Sequence, residues 1–126
     1  MRIYETYRDL LSEVKPSDVN NNYDSVETIV NRLRNIGFIV DPNHLVSELI
    51  SRNGLRLLRV PSNPYKAYVV YRAGSEKHAN ELVAIAEKYG GYLSPDASDE
   101  DSIKIGQLLN YDQSEIEAFI NRRKQI

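Results

Sequence analysis

Two runs of extended character, 55–60 and 66–72 in LRLLRVPSNPYKAYVVYR, constrain this chain more than any other stretch. Both are rich in Val, Leu and Tyr. Five residues, Pro61-Ser62-Asn63-Pro64-Tyr65, join them with turn chemistry, so the pair predicts an antiparallel hairpin over 55–72. Alternation sends Ala67, Val69 and Tyr71 to one face and Lys66, Tyr68, Val70 and Arg72 to the other. Two strands alone are marginal in water, so helices must cover at least one face. Phe38-Ile39-Val40 reads either as an apolar linker or as a brief third strand.

The flanking sequence is helical in pattern. Ile3, Tyr7, Leu10, Leu11 and Val14 recur at steps of three and four, predicting a helix over 2–14 that Pro16 stops. Ser17 to Tyr23, with three consecutive asparagines, reads as a polar connector. Asp24 and Glu27 form a capping-box pattern, so a second helix is expected to start there, bury Val26, Ile29, Val30 and Leu33, and close at Gly37. Asp41-Pro42 predicts the start of a third helix over 42–52, with a stripe of Leu45, Val46, Leu49 and Ile50 and a stop at Asn53-Gly54. Helices over about 76–89, capped by Ser75, and over about 100–109 and 113–124 complete the chain, the last started by Asp112 and Glu115. Tyr92 to Asp101 reads as a mobile loop. The expected architecture is a single α+β domain, 1–126, with about six helices packed around a two- or three-stranded antiparallel sheet.

Composition excludes several classes of function. Absence of cysteine rules out disulfides, Cys-based zinc sites and a Cys nucleophile. His44 and His78 are far apart in sequence and give no histidine-rich ligand set, so neither a metal nor a cofactor is expected. The longest apolar runs have four or five residues, too few to cross a bilayer, and the N-terminus carries acids where an export signal needs an apolar stretch. The expected location is cytoplasmic, with no membrane partner.

Charge supplies the first functional lead. Between Arg52 and Lys77 six basic residues stand against one acid, giving +5, while the whole chain carries −2. If Arg56, Lys66, Tyr68 and Arg72 share an exposed sheet face, with Arg59 beside them, cationic groups could meet phosphates while the ring stacks on a base. A nucleic acid or another anionic partner is therefore expected at the hairpin. The alternative is that these residues pair with the protein's own carboxylates.

A second lead is the strand, glycine turn and helix start in VVYRAGSEKHANEL. Free N–H groups and the helix dipole favour an anion there, with Arg72, Ser75, Lys77 and His78 around it. An enzyme or small-anion module using Arg72 to His78 would make His78 a general acid or base. No nucleophile or carboxylate partner accompanies it, and one glycine falls short of a phosphate-binding fingerprint.

Near the C-terminus, Ile105-Gly106-Gln107-Leu108-Leu109-Asn110-Tyr111 followed by Ile116-Glu117-Ala118-Phe119-Ile120 resembles the I-G-x-L-L-G-Y-P segment and following helix of mainly archaeal proteins of unknown function. Asn110 stands where those proteins have glycine and Asp112 where they have proline. Asn110 is expected to adopt the left-handed conformation that glycine would.

Together these features predict a non-catalytic binding or interaction protein whose anionic partner meets the hairpin. The alternatives are an enzyme or small-anion module at Arg72–His78, and a structural homo-oligomerisation domain pairing through the hairpin edge.

Overall fold

The computed structural model describes residues 19–94 and 96–124. The helix expected at 2–14 lies outside them. In chain order the elements are α1 (Val19–Val30), β1 (Ile36–Val40), α2 (His44–Arg52), β2 (Arg56–Arg59), β3 (Ala67–Tyr71), α3 (Glu76–Lys88), α4 (Asp99–Leu108) and α5 (Gln113–Lys124). The fold is α+β, with five helices among the described residues rather than about six, and no helix among them is long and apolar enough to cross a membrane.

The hairpin forms as expected. β2 and β3 pair antiparallel with Arg56 opposite Tyr71 and Arg59 opposite Tyr68, and β1 is the third strand, antiparallel to β3 with Ile36 opposite Tyr71. The sheet order β1-β3-β2 makes β3 central.

Helices cover both faces of this sheet. Ile36, Phe38, Val69 and Tyr71 join Leu82, Ile105 and Phe119 in one core, beneath α3, α4 and α5. Ile39 and Val70 join Val26, Ile29, Val46 and Ile50 in a second, beneath α1 and α2. β1 is therefore buried along its whole length, and the sheet behaves as the middle of three layers.

Several helix boundaries differ from the sequence expectation. α1 starts by Val19, so Asp24 and Glu27 lie inside it and the asparagine run is helical rather than a connector. Asn22 is buried because its carboxamide serves as a peptide mimic on the outer edge of β1: Nδ2 donates to the Val40 carbonyl at 2.6 Å, and the Val40 N–H donates to Oδ1 at 3.1 Å. Gly37 does not close a helix. It sits in β1, where a Cβ would meet Ile29, Val70 and Ser25 at 3.4 to 3.8 Å, ordinary contact distances.

α2 starts at His44, not at 42, because Asn43 is its cap and accepts from the Val46 N–H at 3.0 Å. Asp41 instead extends the β1–β3 ladder, donating its N–H to Lys66. Val46 and Ile50 are buried, but Leu45, expected in the apolar stripe, is 64% exposed. The stop at Asn53-Gly54 is as expected, with Gly54 at φ +65°. The segment after α3 is tied down by Leu93 and Ala97, both buried, and by Tyr89, whose hydroxyl bonds Asp101 and the Ser98 N–H.

Candidate functional site

The helix ends decide where chemistry can gather. Among the described residues four helices close with the same turn, in which an N–H just past the helix reaches back five residues: Leu33 to Thr28, Leu55 to Ile50, Gly91 to Ala86 and Tyr111 to Gly106. The residue before each of these donors takes the left-handed conformation that such a closure requires. At Gly54 and Gly90 it is the usual glycine. At α1 it is Arg32, φ +61°, and at α4 it is Asn110, φ +64°, as expected for that residue.

These two exceptions line one cleft. Its volume is about 300 Å³, and its walls come from three places: Arg32, Leu33, Arg34, Asn35 and Ile36 after α1, His78 in the first turn of α3, and Lys104, Gln107, Leu108 and Asn110 at the end of α4. Three cationic side chains, a histidine and three carboxamides therefore converge, with no carboxylate among the described lining residues. Asn110 Nδ2 donates to the Leu33 carbonyl at 3.1 Å and holds the two helix ends together.

The three cations stand in different surroundings. Arg34 is only 7% exposed, and its Nε donates to Thr28 Oγ1 at 2.7 Å, whose hydroxyl in turn donates to the Ser25 carbonyl. Desolvating a guanidinium this far is unfavourable, and in return its field is poorly screened. Arg32 is exposed on its left-handed residue. Lys104 forms an ion pair with Glu81 of α3 at 3.1 Å, and that hydrogen bond holds the Glu81 carboxyl below the usual carboxylate range. The helix ends would bring negative dipole character to the cleft. Asn110 on Leu33, and Arg72 whose Nη2 donates to the Ile29 carbonyl, satisfy carbonyls there.

Of the hairpin residues only Arg59 and Tyr68 come together, and the set as a whole does not share one exposed face. Strand register sets Arg56 and Arg59 on opposite faces, and Arg56 on the face opposite Tyr68, so the shared exposed face on which the first lead depended does not form. The face carrying Tyr68 and Val70 is covered by α1 and α2. Arg59 is used internally: it donates to the Ala67 carbonyl at 3.0 Å and to the Asn63 carbonyl at 3.3 Å, and its guanidinium lies 5.3 Å from the Tyr68 ring centre. Arg56 sits 3.9 Å from Glu76, and Arg72 reaches α1. Lys66 and Lys77 are exposed and make no ion pair among the described residues.

The turn at Arg72 to His78 already holds an anion of its own. Ser75 occupies the cap position of α3 without a side-chain hydrogen bond, contrary to expectation. The Glu76 carboxylate folds back onto the Gly74 N–H at 3.0 and 3.2 Å instead. Bonds from its own backbone N–H and from Gly74, with Arg56 nearby, hold the Glu76 carboxyl below the usual range. His78, one turn on, is exposed and is the member of the predicted set that lines the cleft. Arg32, Arg34 and Lys104 carried no sequence signal, because nothing in their local pattern shows that the ends of α1 and α4 meet. Among the described residues no three His, Asp or Glu side chains form a metal-binding group.

The chain matches no protein-family model, no curated protein and no solved structure.

Proposed function

We propose that this protein is a small binding module that holds an anionic small molecule in the cleft between the ends of α1 and α4 and the start of α3. The observation that carries the proposal is the convergence of Arg32, Arg34, Lys104 and His78 on one polar cleft with no carboxylate among its described lining residues. Its volume suits a phosphate- or carboxylate-sized group rather than a duplex, and ligand sites commonly combine a concave wall with a few convergent polar groups. Arg32 supports the same reading, since an arginine in a glycine-type position is strain retained beside a cleft. Binding is favoured over catalysis because Glu81, the carboxylate one turn beyond His78 on α3, is paired with Lys104 rather than orienting His78 as a base. The partition of the basic hairpin between two faces favours a small ligand over an extended nucleic-acid strand.

Titration calorimetry with inorganic phosphate and pyrophosphate at low salt tests the proposal. The expected result is binding that Arg32→Gln and Lys104→Gln each weaken about tenfold, the size of one charge-assisted hydrogen bond. Arg56→Ala/Lys66→Ala should leave it unchanged. Binding indifferent to the cleft substitutions, or lost in the hairpin double variant, overturns the proposal.

A further inference from the structure

A second cavity of about 590 Å³ runs along the groove between α3 and α4. It adjoins the cationic cleft, with Lys104 and Gln107 lining both spaces. The two spaces differ in chemistry. The groove is floored by Ala84, Ile85 and Ile103, and it is bordered by Glu100 and by two ion pairs that cross from α3 to α4, Glu81 with Lys104 and Lys88 with Asp101. Ala84 is exposed in the middle of α3, where a larger residue would fill the trough. From Glu81 to Lys88 the helix rises about 10 Å, at 1.5 Å per residue.

We infer that the ligand of the cleft is an amphiphilic anion: a phosphate or carboxylate head among Arg32, His78 and Lys104, and an apolar chain or ring lying over Ala84, Ile85 and Ile103. This inference rests on the cleft being an anion site. It adds what the head alone does not explain, an apolar trough that begins at the same lysine. Lys104 lies at the junction, and its present partner Glu81 is the carboxylate with which an incoming head group must share it. The head sets orientation through charge, and the body adds affinity by leaving water, as in most small-molecule sites.

The test compares inorganic phosphate with octyl phosphate, kept below its aggregation concentration, by calorimetry on the wild-type chain, Ala84→Gln and Arg32→Gln. Ala84 is a surface helical position and glutamine is a good helix former, so Ala84→Gln should fold, which circular dichroism checks. Octyl phosphate is expected to bind at least about tenfold tighter than phosphate, the effect of burying only a few methylenes. Ala84→Gln should remove that increment and leave phosphate binding as it was, while Arg32→Gln weakens both ligands. Equal affinities in the wild type, or an increment that survives Ala84→Gln, overturn the amphiphile while phosphate binding sensitive to Arg32 keeps the anion site. Binding of both ligands unmoved by Arg32→Gln overturns the anion site and the amphiphile together.

Discussion

The side chain of Asn110 donates to the carbonyl of Leu33 across 77 residues of sequence, joining the ends of α4 and α1 where the cationic cleft opens. Each partner belongs to a helix closure built without glycine. Arg32 immediately precedes Leu33, and Asn110 is itself the left-handed residue of α4. One turn geometry thus performs two tasks, ending a helix and aiming a polar side chain at the cleft.

Arg32→Gly should therefore separate stability from binding. A left-handed arginine is strained by about 1 kcal/mol relative to glycine, part of which the greater entropy of unfolded glycine offsets. The variant is expected to unfold at an equal or slightly higher temperature while losing phosphate affinity. A thermal melt beside a phosphate titration checks both; a clear fall in melting temperature would mean that the Arg32 side chain holds the fold.

How much of this was legible in the sequence depended on whether the signal was local. The hairpin was, since the proline- and asparagine-bearing link and the β-rich runs on either side specify it without outside help, and Asn110 could be read as a glycine substitute. The end of α1 was not. Arg32 occupies a position where glycine is the usual marker, so the next glycine, Gly37, drew the expectation five residues too far, although it lies within β1. Asn22 was hidden for a similar reason: an asparagine in a polar run signals a turn, and only the distant Val40 makes it a buried helical residue. The cleft was illegible because its cations come from α4 and from the loop after α1, whose meeting is a tertiary fact.

Asn22 makes a second prediction. Its carboxamide occupies both the N–H and the carbonyl that Val40 turns away from β3, which blunts that part of the sheet edge. Asn22→Ala leaves two buried backbone groups without these bonds and should destabilise the fold by about 2 kcal/mol. Urea unfolding should show a lower midpoint, and size-exclusion mass measurements should show more self-association than in the wild type. An unchanged midpoint would show that water replaces the carboxamide without penalty.

Gly91 and Asn63 lock the hairpin loop to the end of α3. Asn63 is buried; its Nδ2 donates to the Gly91 carbonyl at 2.8 Å and its Oδ1 accepts from the Tyr65 N–H at 2.7 Å. A Cβ at residue 91 would stand 2.4 Å from the Asn63 nitrogen, which is backbone and has nowhere to move, and φ there is +93°. Gly91→Ala should cost more than about 3 kcal/mol, the range of severe core disruptions. Gly90→Ala is the control: its Cβ meets only Tyr92 at 3.9 Å, so the left-handed strain of about 1 kcal/mol is the main effect. Similar unfolding midpoints for the two variants would refute the steric account.

Asp101 gives the fold a predictable acid limb. Its carboxylate accepts from Tyr89 Oη at 2.6 Å and from Lys88 Nζ at 3.1 and 3.3 Å, and these bonds, the tyrosine first, hold the carboxyl below its usual range. A carboxyl that titrates lower in the folded than in the unfolded chain stabilises above the unfolded value of about 3.9, and the contribution disappears as pH falls through the folded value. Melting temperatures measured from about pH 6 to pH 2 should therefore fall more steeply for the wild type than for Asp101→Asn, since the protonation that releases these bonds is already built into the variant. Tyr89→Phe removes the largest contributor but keeps Lys88, so its acid limb should lie between the two. Parallel curves for wild type and Asp101→Asn would assign the acid limb to other carboxyls and leave the Asp101 cluster a local clasp between α3 and α4.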